Sequence, residues 1–403
     1  MNKIVTILAV VAMVSIVTVC AYALFLTPNS SSQSQSPQSS PTTSPSASPT
    51  VSPAPTGTTA PSSTATPTPS QSTTNPPSIP VSTPPPEPIN ITVVDGAGRN
   101  VTLTVPVKRI VSINSGLTEM LCALGVQDKL VGRDQSSTMP PSVLNVTVVG
   151  GSSYDPNVEL ILELKPDVIF ADSMLPYNTV AMSQLEAAGI PIFISDPTDP
   201  EPTKHSNSTV VDFSCNLLSK LASIVGNQAK ADEYINYVQY YNNLVKQRIA
   251  TLTLEQRPKV LLEWYRPYYS FVTPGLDQAG GINIAENQTV YAPQLSAEFV
   301  VEQNPAVIIQ MISSLTHDEA DFRSARDEIM SRAALRDVDA IKNGRVYICD
   351  WKIRGGISSV VGYLYWAKWC QPTLFADIDP AAVNAELYQK FFGTTIQGVF
   401  AYP

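Results

Sequence analysis

The stretches NVELILELKPDVIF (residues 157–170) and SAEFVVEQNPAVII (residues 296–309) carry one pattern twice, about 140 residues apart. Each copy reads as a short amphipathic helix, a proline that stops it, and an apolar strand. Each places a glutamate, Glu159 or Glu298, at the helix start, seven residues before Pro166 or Pro305. A chain with two such units is expected to hold two similar α/β lobes. Lobes that face each other hold a ligand between them.

The surroundings of both copies extend that reading. Ahead of the first, apolar alternation over 91–94 and 101–104 around Asp95-Gly96-Ala97-Gly98 predicts a β-hairpin. Strands follow at 109–113, 130–132, 168–170 and 190–194, with helices at 117–124 and 180–188. Strands alternating with helices argue for a parallel sheet with βαβ crossovers. The pattern then changes to two helices, 209–225 and 228–254. The second has no Gly or Pro inside it and would span roughly 38 Å at ~1.5 Å per residue. It reads either as a rod between lobes or as a surface helix of the second lobe. The second lobe is expected to contain strands at 259–263, 307–310 and 345–348. Its helices fall before 280–285, at the second copy, at 318–332 and at 358–369. The predicted fold class is α/β, with two Rossmann-like lobes joined by one long helix.

The amino-terminal part is different in kind. Lys3 precedes an uncharged, mostly apolar run over residues 4–26, long enough to cross a bilayer as a helix. The basic flank predicts a cytoplasmic amino terminus. An uncleaved anchor is the first reading. A signal peptide cut after Ala21-Tyr22-Ala23 and lipidation of Cys20 are the others, and all three export the chain. Residues 27–88 are nearly all Ser, Thr, Pro, Gln, Asn and Ala, too polar to bury a core, which predicts a disordered stalk. The expected organisation is a membrane segment (1–26), a linker (27–88), a first α/β lobe (89–206), a helical region (207–256) and a second α/β lobe (257–403). Sequons at Asn29, Asn90, Asn100, Asn145, Asn207 and Asn287 suit an exported protein. Cys122 and Cys215 lie in apolar helical patterns and read as buried thiols. No spacing rule decides whether Cys349 and Cys370 pair.

Net charge is −9, and Lys3 and Glu87 cancel, so the part predicted to fold carries all of it. A surface of that sign argues against nucleic acid as a partner.

Taken together, VDGAGRNVTL (94–103), KRIVSI (108–113), residues 159–170, AAGIPI (187–192), QAGGINIA (278–285), residues 298–309 and NGRVY (343–347) resemble the long-helix class of ABC-importer substrate-binding proteins. That class takes up iron–siderophores, haem and cobalamin, and the likeness runs over residues 91–393. The resemblance implies two α/β lobes joined by one helix, a ligand in the cleft and little hinge closure. It also implies a glutamate on each lobe that pairs with arginines of the membrane permease, here Glu159 and Glu298. A carboxylate in a first helical turn is favoured by the helix dipole, and an exposed one can accept an arginine fork.

Ligands of open α/β sheets bind beyond the carboxyl ends of the strands. That rule nominates Asn114, Ser115, Arg133, Tyr154 and Tyr177 on the first lobe. On the second it nominates Tyr265, Arg266, Tyr268, Tyr269, Trp351 and Arg354. Aromatic rings offer stiff, flat contact to a large chelate, and arginines pair with its anionic edge. With only His205 and His317 in the chain, direct ligation of a bare metal ion by imidazoles is not expected. An iron–siderophore-type chelate is favoured over a corrinoid. The chain has no nucleophile elbow, no H-E-x-x-H and no phosphate-binding loop, so neither an enzyme nor a resident cofactor is expected. A glycosylated surface protein is the alternative of another class. The duplicated α/β unit speaks against it.

Overall fold

Apolar runs too short for helices become the central strands of two separate sheets. The computed structural model describes residues 87–196, 208–272, 275–314 and 316–403. The amino-terminal segment and nearly all of the stalk, with Cys20, Asn29, His205 and Asn207, lie outside the described residues.

The chain opens with an antiparallel hairpin, β1 (Ile89–Val94) and β2 (Asn100–Val105). Its turn is held by Asp95, whose carboxylate accepts the Arg99 amide and guanidinium at 2.9 Å each. Gly96 donates to the Ile194 carbonyl at 2.6 Å, and a Cβ there would lie 2.1 Å from Ser195 backbone atoms. Only glycine permits that approach.

The first sheet comprises β3 (Ile110–Ser112), β4 (Leu130–Arg133), β5 (Thr147–Val148), β6 (Val168–Ala171) and β7 (Ile192–Ile194). Its order is β5-β4-β3-β6-β7, parallel throughout. Its helices are α1 (Ser115–Ala123), α2 (Val158–Leu164) and α3 (Thr179–Ala187). Two helices then lead away, α4 (Val210–Val225) and α5 (Gln228–Ile249). The second sheet comprises β8 (Lys259–Trp264), β9 (Ile282–Asn283), β10 (Val307–Ile312), β11 (Val346–Asp350) and β12 (Ala401–Tyr402). Its order is β12-β11-β10-β8-β9, and only the edge strand β12 is antiparallel. Its helices are α6 (Ala297–Gln303), α7 (Glu319–Met330), α8 (Asp339–Lys342), α9 (Ser359–Cys370) and α10 (Pro380–Phe392).

Strand alternation divides the core. Ile110, Val168, Phe170 and Phe193 of the first sheet, and Val260, Leu262, Val307 and Ile309 of the second, belong to one continuous apolar cluster with α1, α4, α5, α9 and α10. The intervening residues face outward into two smaller clusters, Val111 and Ile169 in one, Leu261 and Ile308 in the other. A helical layer packed on both sheets thus ties the two halves together. Tyr234 of α5, fully buried, donates to the Ile357 carbonyl at 2.6 Å.

The repeated units fold alike. Asn157 and Ser296 cap seven-residue helices by accepting from Leu160 and Phe299 amides at 3.0 and 3.1 Å. Each helix ends in a left-handed residue, Lys165 (φ 48°) or Asn304 (φ 45°), directly before the proline.

Three expectations need correction. The long helix stops at Ile249 rather than 254, because Thr251 turns its hydroxyl back onto the Arg248 carbonyl and Thr253 begins a capped 3-10 turn. The stretch before Gly280 is a series of turns, not a short helix. The helix α10 went unread. No helix among the described residues is long and apolar enough to cross a membrane. The expected membrane segment is not among them.

Candidate functional site

Each sheet has a point where its strand order reverses, between β3 and β6 in the first and between β8 and β10 in the second. Ligands of open α/β sheets settle at such crevices. Residues leaving the carboxyl ends of these strands converge on one cavity of about 500 Å³, within the usual range for small-molecule sites.

The first half contributes Asn114, Asp172, Ser173, Met174, Ser195 and Asp196. Asn114 caps α1 by accepting from the Leu117 amide at 3.1 Å and donates to Asp172 at 2.8 Å. Asp172 also accepts from the Met174 amide at 2.9 Å. Asp196 accepts from the Ser173 amide at 3.1 Å and from the Ser173 and Ser195 hydroxyls at 2.6 Å each. Burial raises the Asp196 pKa, the two serines oppose that rise, and the charge of Asp172 adds to it.

The second half contributes Trp264, Phe271, Tyr291, Ser313, Trp351, Arg354 and Gly355. Trp264 meets Trp351 edge-on at 5.3 Å, and Phe271 tilts against Trp351 at 5.5 Å. The Arg354 guanidinium lies 5.1 Å from the Trp351 ring centroid and 5.5 Å from that of Phe271. Desolvation lowers the Arg354 pKa. Below Trp264 the chain folds back sharply, with Trp264 donating to the Tyr269 carbonyl at 2.7 Å and Tyr265 and Tyr268 at φ 34° and 60°. Such backbone persists only where its surroundings over-determine it.

Of the residues nominated from sequence, Asn114, Trp351 and Arg354 line this cavity. Ser115 is the half-buried first residue of α1, next to the lining. Tyr265 and Tyr177 stand about half exposed, Tyr265 edge-on to Trp264 at 5.5 Å. Arg266 stacks over Tyr269 at 4.4 Å, and Tyr269 stacks on Trp264. Tyr154 is half-buried, and its carbonyl accepts from Asn178 at 2.9 Å. Arg133 is not at the cavity: it is buried, and its guanidinium is spent on the Val143, Asp134 and Leu144 carbonyls at 2.9, 3.1 and 3.4 Å. Tyr268 likewise turns into the outer core of the second sheet, beneath the Arg332 guanidinium at 5.3 Å. Sequence reading missed Asp172, Ser173, Ser195, Asp196, Phe271 and Tyr291. The strand-end rule applied to β6 and β7 would have found the first four.

Glu159 and Glu298 are exposed in the first turns of α2 and α6. The backbone amide of Glu298 and the Ser296 hydroxyl hold the Glu298 carboxyl below its usual range. Among the described residues no cluster of His, Cys, Asp and Glu is arranged to hold a metal ion. His317 lies 3.0 Å from the Lys352 ammonium and 3.5 Å from Asp350. Cys122, Cys215, Cys349 and Cys370 are buried free thiols. Asn90, Asn100, Asn145 and Asn287 of the sequons are exposed. A larger hollow of about 1130 Å³ lies between the hairpin and the distal ends of α2 and α3, but no aromatic ring among the described residues lines it. The smaller cavity is therefore the better candidate.

Over residues 110–352 the sequence matches the family described as periplasmic binding protein, and the chain belongs to that family of ABC-transporter substrate-binding proteins. An uncharacterized ABC transporter substrate-binding lipoprotein, YvrC of Bacillus subtilis, is 26% identical over 268 residues, 64% of this chain and 78% of the relative. A cobalamin-binding protein of Halobacterium salinarum is 27% identical over 64% of this chain and 67% of its own length. A vitamin B12-binding protein of Yersinia pestis is 31% identical over 51% of this chain and 71% of its own length. Among solved structures, the molybdate-binding MolA of Haemophilus influenzae superposes with a TM-score of 0.62 at 20% identity, covering 76% of this chain and 99% of that one. The TroA-like FepB of Veillonella parvula gives 0.60 at 23% identity, covering 77% and 99%. These two establish the fold alone.

Proposed function

We propose that this chain captures an intact metal chelate between two Rossmann-like lobes and passes it to an ABC importer permease. The observation that carries the reading is the convergence of both strand-order reversals on one cavity, walled on one side by Trp264, Phe271, Trp351 and Arg354. Rings and a guanidinium recognise a pre-formed complex without supplying metal ligands of their own. Asn114, Ser115, Trp351 and Arg354 hold the ligand, with Tyr177, Tyr265 and Arg266 at the rim. Lobes of residues 89–206 and 257–403 are braced by the helix Gln228–Ile249. Glu159 and Glu298 dock on permease arginines. The amino-terminal segment anchors the protein to the outer face of the membrane, and the Ser/Thr/Pro-rich stretch spaces it away. Binding and hand-over, rather than catalysis, is the work of the family.

An iron–siderophore-type complex is the first ligand reading. A corrinoid is the second, favoured by relatives described as cobalamin-binding and vitamin B12-binding. Calorimetry of the full chain against both chelate classes tests the proposal. Replacing Trp351 and Arg354 together by Ala is expected to weaken the best binder by one to three orders of magnitude, about 1.4 kcal/mol per tenfold. Tight binding of free Fe³⁺ or Zn²⁺ with no chelate bound would overturn it.

A further inference from the structure

The two walls of the cavity offer a ligand opposite chemistry. On the first wall the hydroxyl protons of Ser173 and Ser195 are both directed at Asp196, at 2.6 Å each. With those protons spent, the serine oxygens that line the cavity have only lone pairs left to offer. Asp172 and Asp196 are acceptors when ionised, and the amide of Asn114 already gives one of its protons to Asp172. This wall therefore asks for hydrogen-bond donors. The charge count agrees. Among the described lining residues two carboxylates stand against one guanidinium, Arg354, and that cation lies in the aromatic wall opposite. The Lys352 ammonium, one residue from Trp351, is engaged by Thr138 at 3.1 Å and His317 at 3.0 Å.

We infer that the cleft selects a neutral or cationic chelate whose periphery carries N–H donors, and rejects multiply anionic chelates. A tris-catecholate iron complex, with three negative charges and an acceptor-only rim, would bring like charge against Asp172 and Asp196. It would also bring no donors to the lone pairs of Ser173 and Ser195, which costs binding energy. An amide-fringed corrinoid and a hydroxamate siderophore complex share the accepted chemistry. The inference rests on the chelate-binding reading above and narrows it.

The test is competition calorimetry on the full chain with three probes: cyanocobalamin, ferrioxamine B and ferric enterobactin. At least one of the first two is expected to bind, and which one identifies the source of the chelate. Ferric enterobactin is expected to bind at least 100-fold more weakly than the better of them. The near-isosteric double substitution Asp172→Asn, Asp196→Asn, with folding checked by thermal melting, is expected to shrink that ratio at least tenfold. If the double variant does not fold, the wild-type ratio alone decides. Ferric enterobactin binding as tightly as the best alternative overturns the inference and leaves the chelate reading standing. A folded double variant with an unchanged ratio also overturns it. Binding of none of the three removes the chelate reading itself, and the inference with it.

Discussion

Asn114 and Trp264 occupy the same place in the two halves. Ile110 pairs with Val168 across β3 and β6 as Val260 pairs with Val307 across β8 and β10, and Val168 and Val307 are equivalent positions of the repeated unit. Counting on four residues from Ile110 and Val260 reaches Asn114 and Trp264, and both line the cavity. One is an amide that ties down a carboxylate. The other is the hub of an aromatic cluster. The position before them differs as sharply: Ile113 is buried among apolar side chains, whereas Glu263 is buried against Arg332 at 2.6 Å. The backbone is duplicated while the side chains at its cavity end have opposite characters. Scaffold and specificity are thus separable, which is how one fold serves many ligands.

The largest expected effect tests the part of the comparison that is symmetric. If Glu159 and Glu298 dock equivalently on the permease, reversing both to Arg abolishes transport in reconstituted vesicles and leaves ligand affinity unchanged. Each single reversal gives a partial defect. A parallel fall in affinity would show that the charges act on the ligand site instead.

The asymmetric part is tested by the Glu263–Arg332 pair. Both side chains are almost fully buried, and Arg332 also bonds Glu328 at 2.7 Å. Burial raises the Glu263 pKa, and the guanidinium pulls against it. Arg332→Ala strands that carboxylate and is expected to cost about 3–5 kcal/mol of unfolding free energy, read by denaturant titration. Glu263→Ile with Arg332→Met, which imitates the first half, is expected to cost clearly less.

How far the sequence carried this picture follows from the same separation. The duplicated unit was legible because helix, proline and strand are local signals, and both copies folded with bounds close to those expected. Asn114, Trp351 and Arg354 were legible as residues at strand ends. Arg133 and Tyr268 satisfy the same rule, yet three carbonyls hold the guanidinium of one and a core under Arg332 holds the ring of the other. Those contacts depend on how the following loop and the outer core fold, which no spacing announces. Asp172 and Asp196 were passed over because an acidic residue after a strand reads as an ordinary loop residue until the fold brings the two together.

Glu119 offers a second buried carboxylate to set beside Glu263. It lies on α1, bonded by the Tyr388 hydroxyl, with Lys352 and Asp350 of the other half nearby. Burial dominates, Lys352 opposes it, and the pKa is pushed from 4.5 to about 8. Because the folded value exceeds the unfolded one, its contribution is fully present below 4.5 and is lost as pH rises through about 8. Stability is therefore expected to fall by on the order of a few kcal/mol across that window. Glu119→Gln should flatten the fall in pH-dependent denaturant melts. An unchanged profile would mean that the carboxyl is already ionised in the fold.

The smallest effect reads the two copies at their helix ends. Lys165 and Asn304 both take left-handed backbone, which costs most residues about 1–2 kcal/mol. The Lys165 side chain is exposed and makes no hydrogen bond or ion pair among the described residues, so Lys165→Gly is expected to stabilise by up to about 1 kcal/mol. Asn304 tolerates the conformation better, and it exchanges two hydrogen bonds with Asp339, donating at 3.0 Å and accepting from its amide at 2.9 Å. Asn304→Gly gives those up at the start of α8 and is expected to destabilise by about 1 kcal/mol. Opposite signs at equivalent positions, measured in the same urea series, would establish that divergence reaches even the turn both copies share. Equal signs would confine it to the cavity end of the strands.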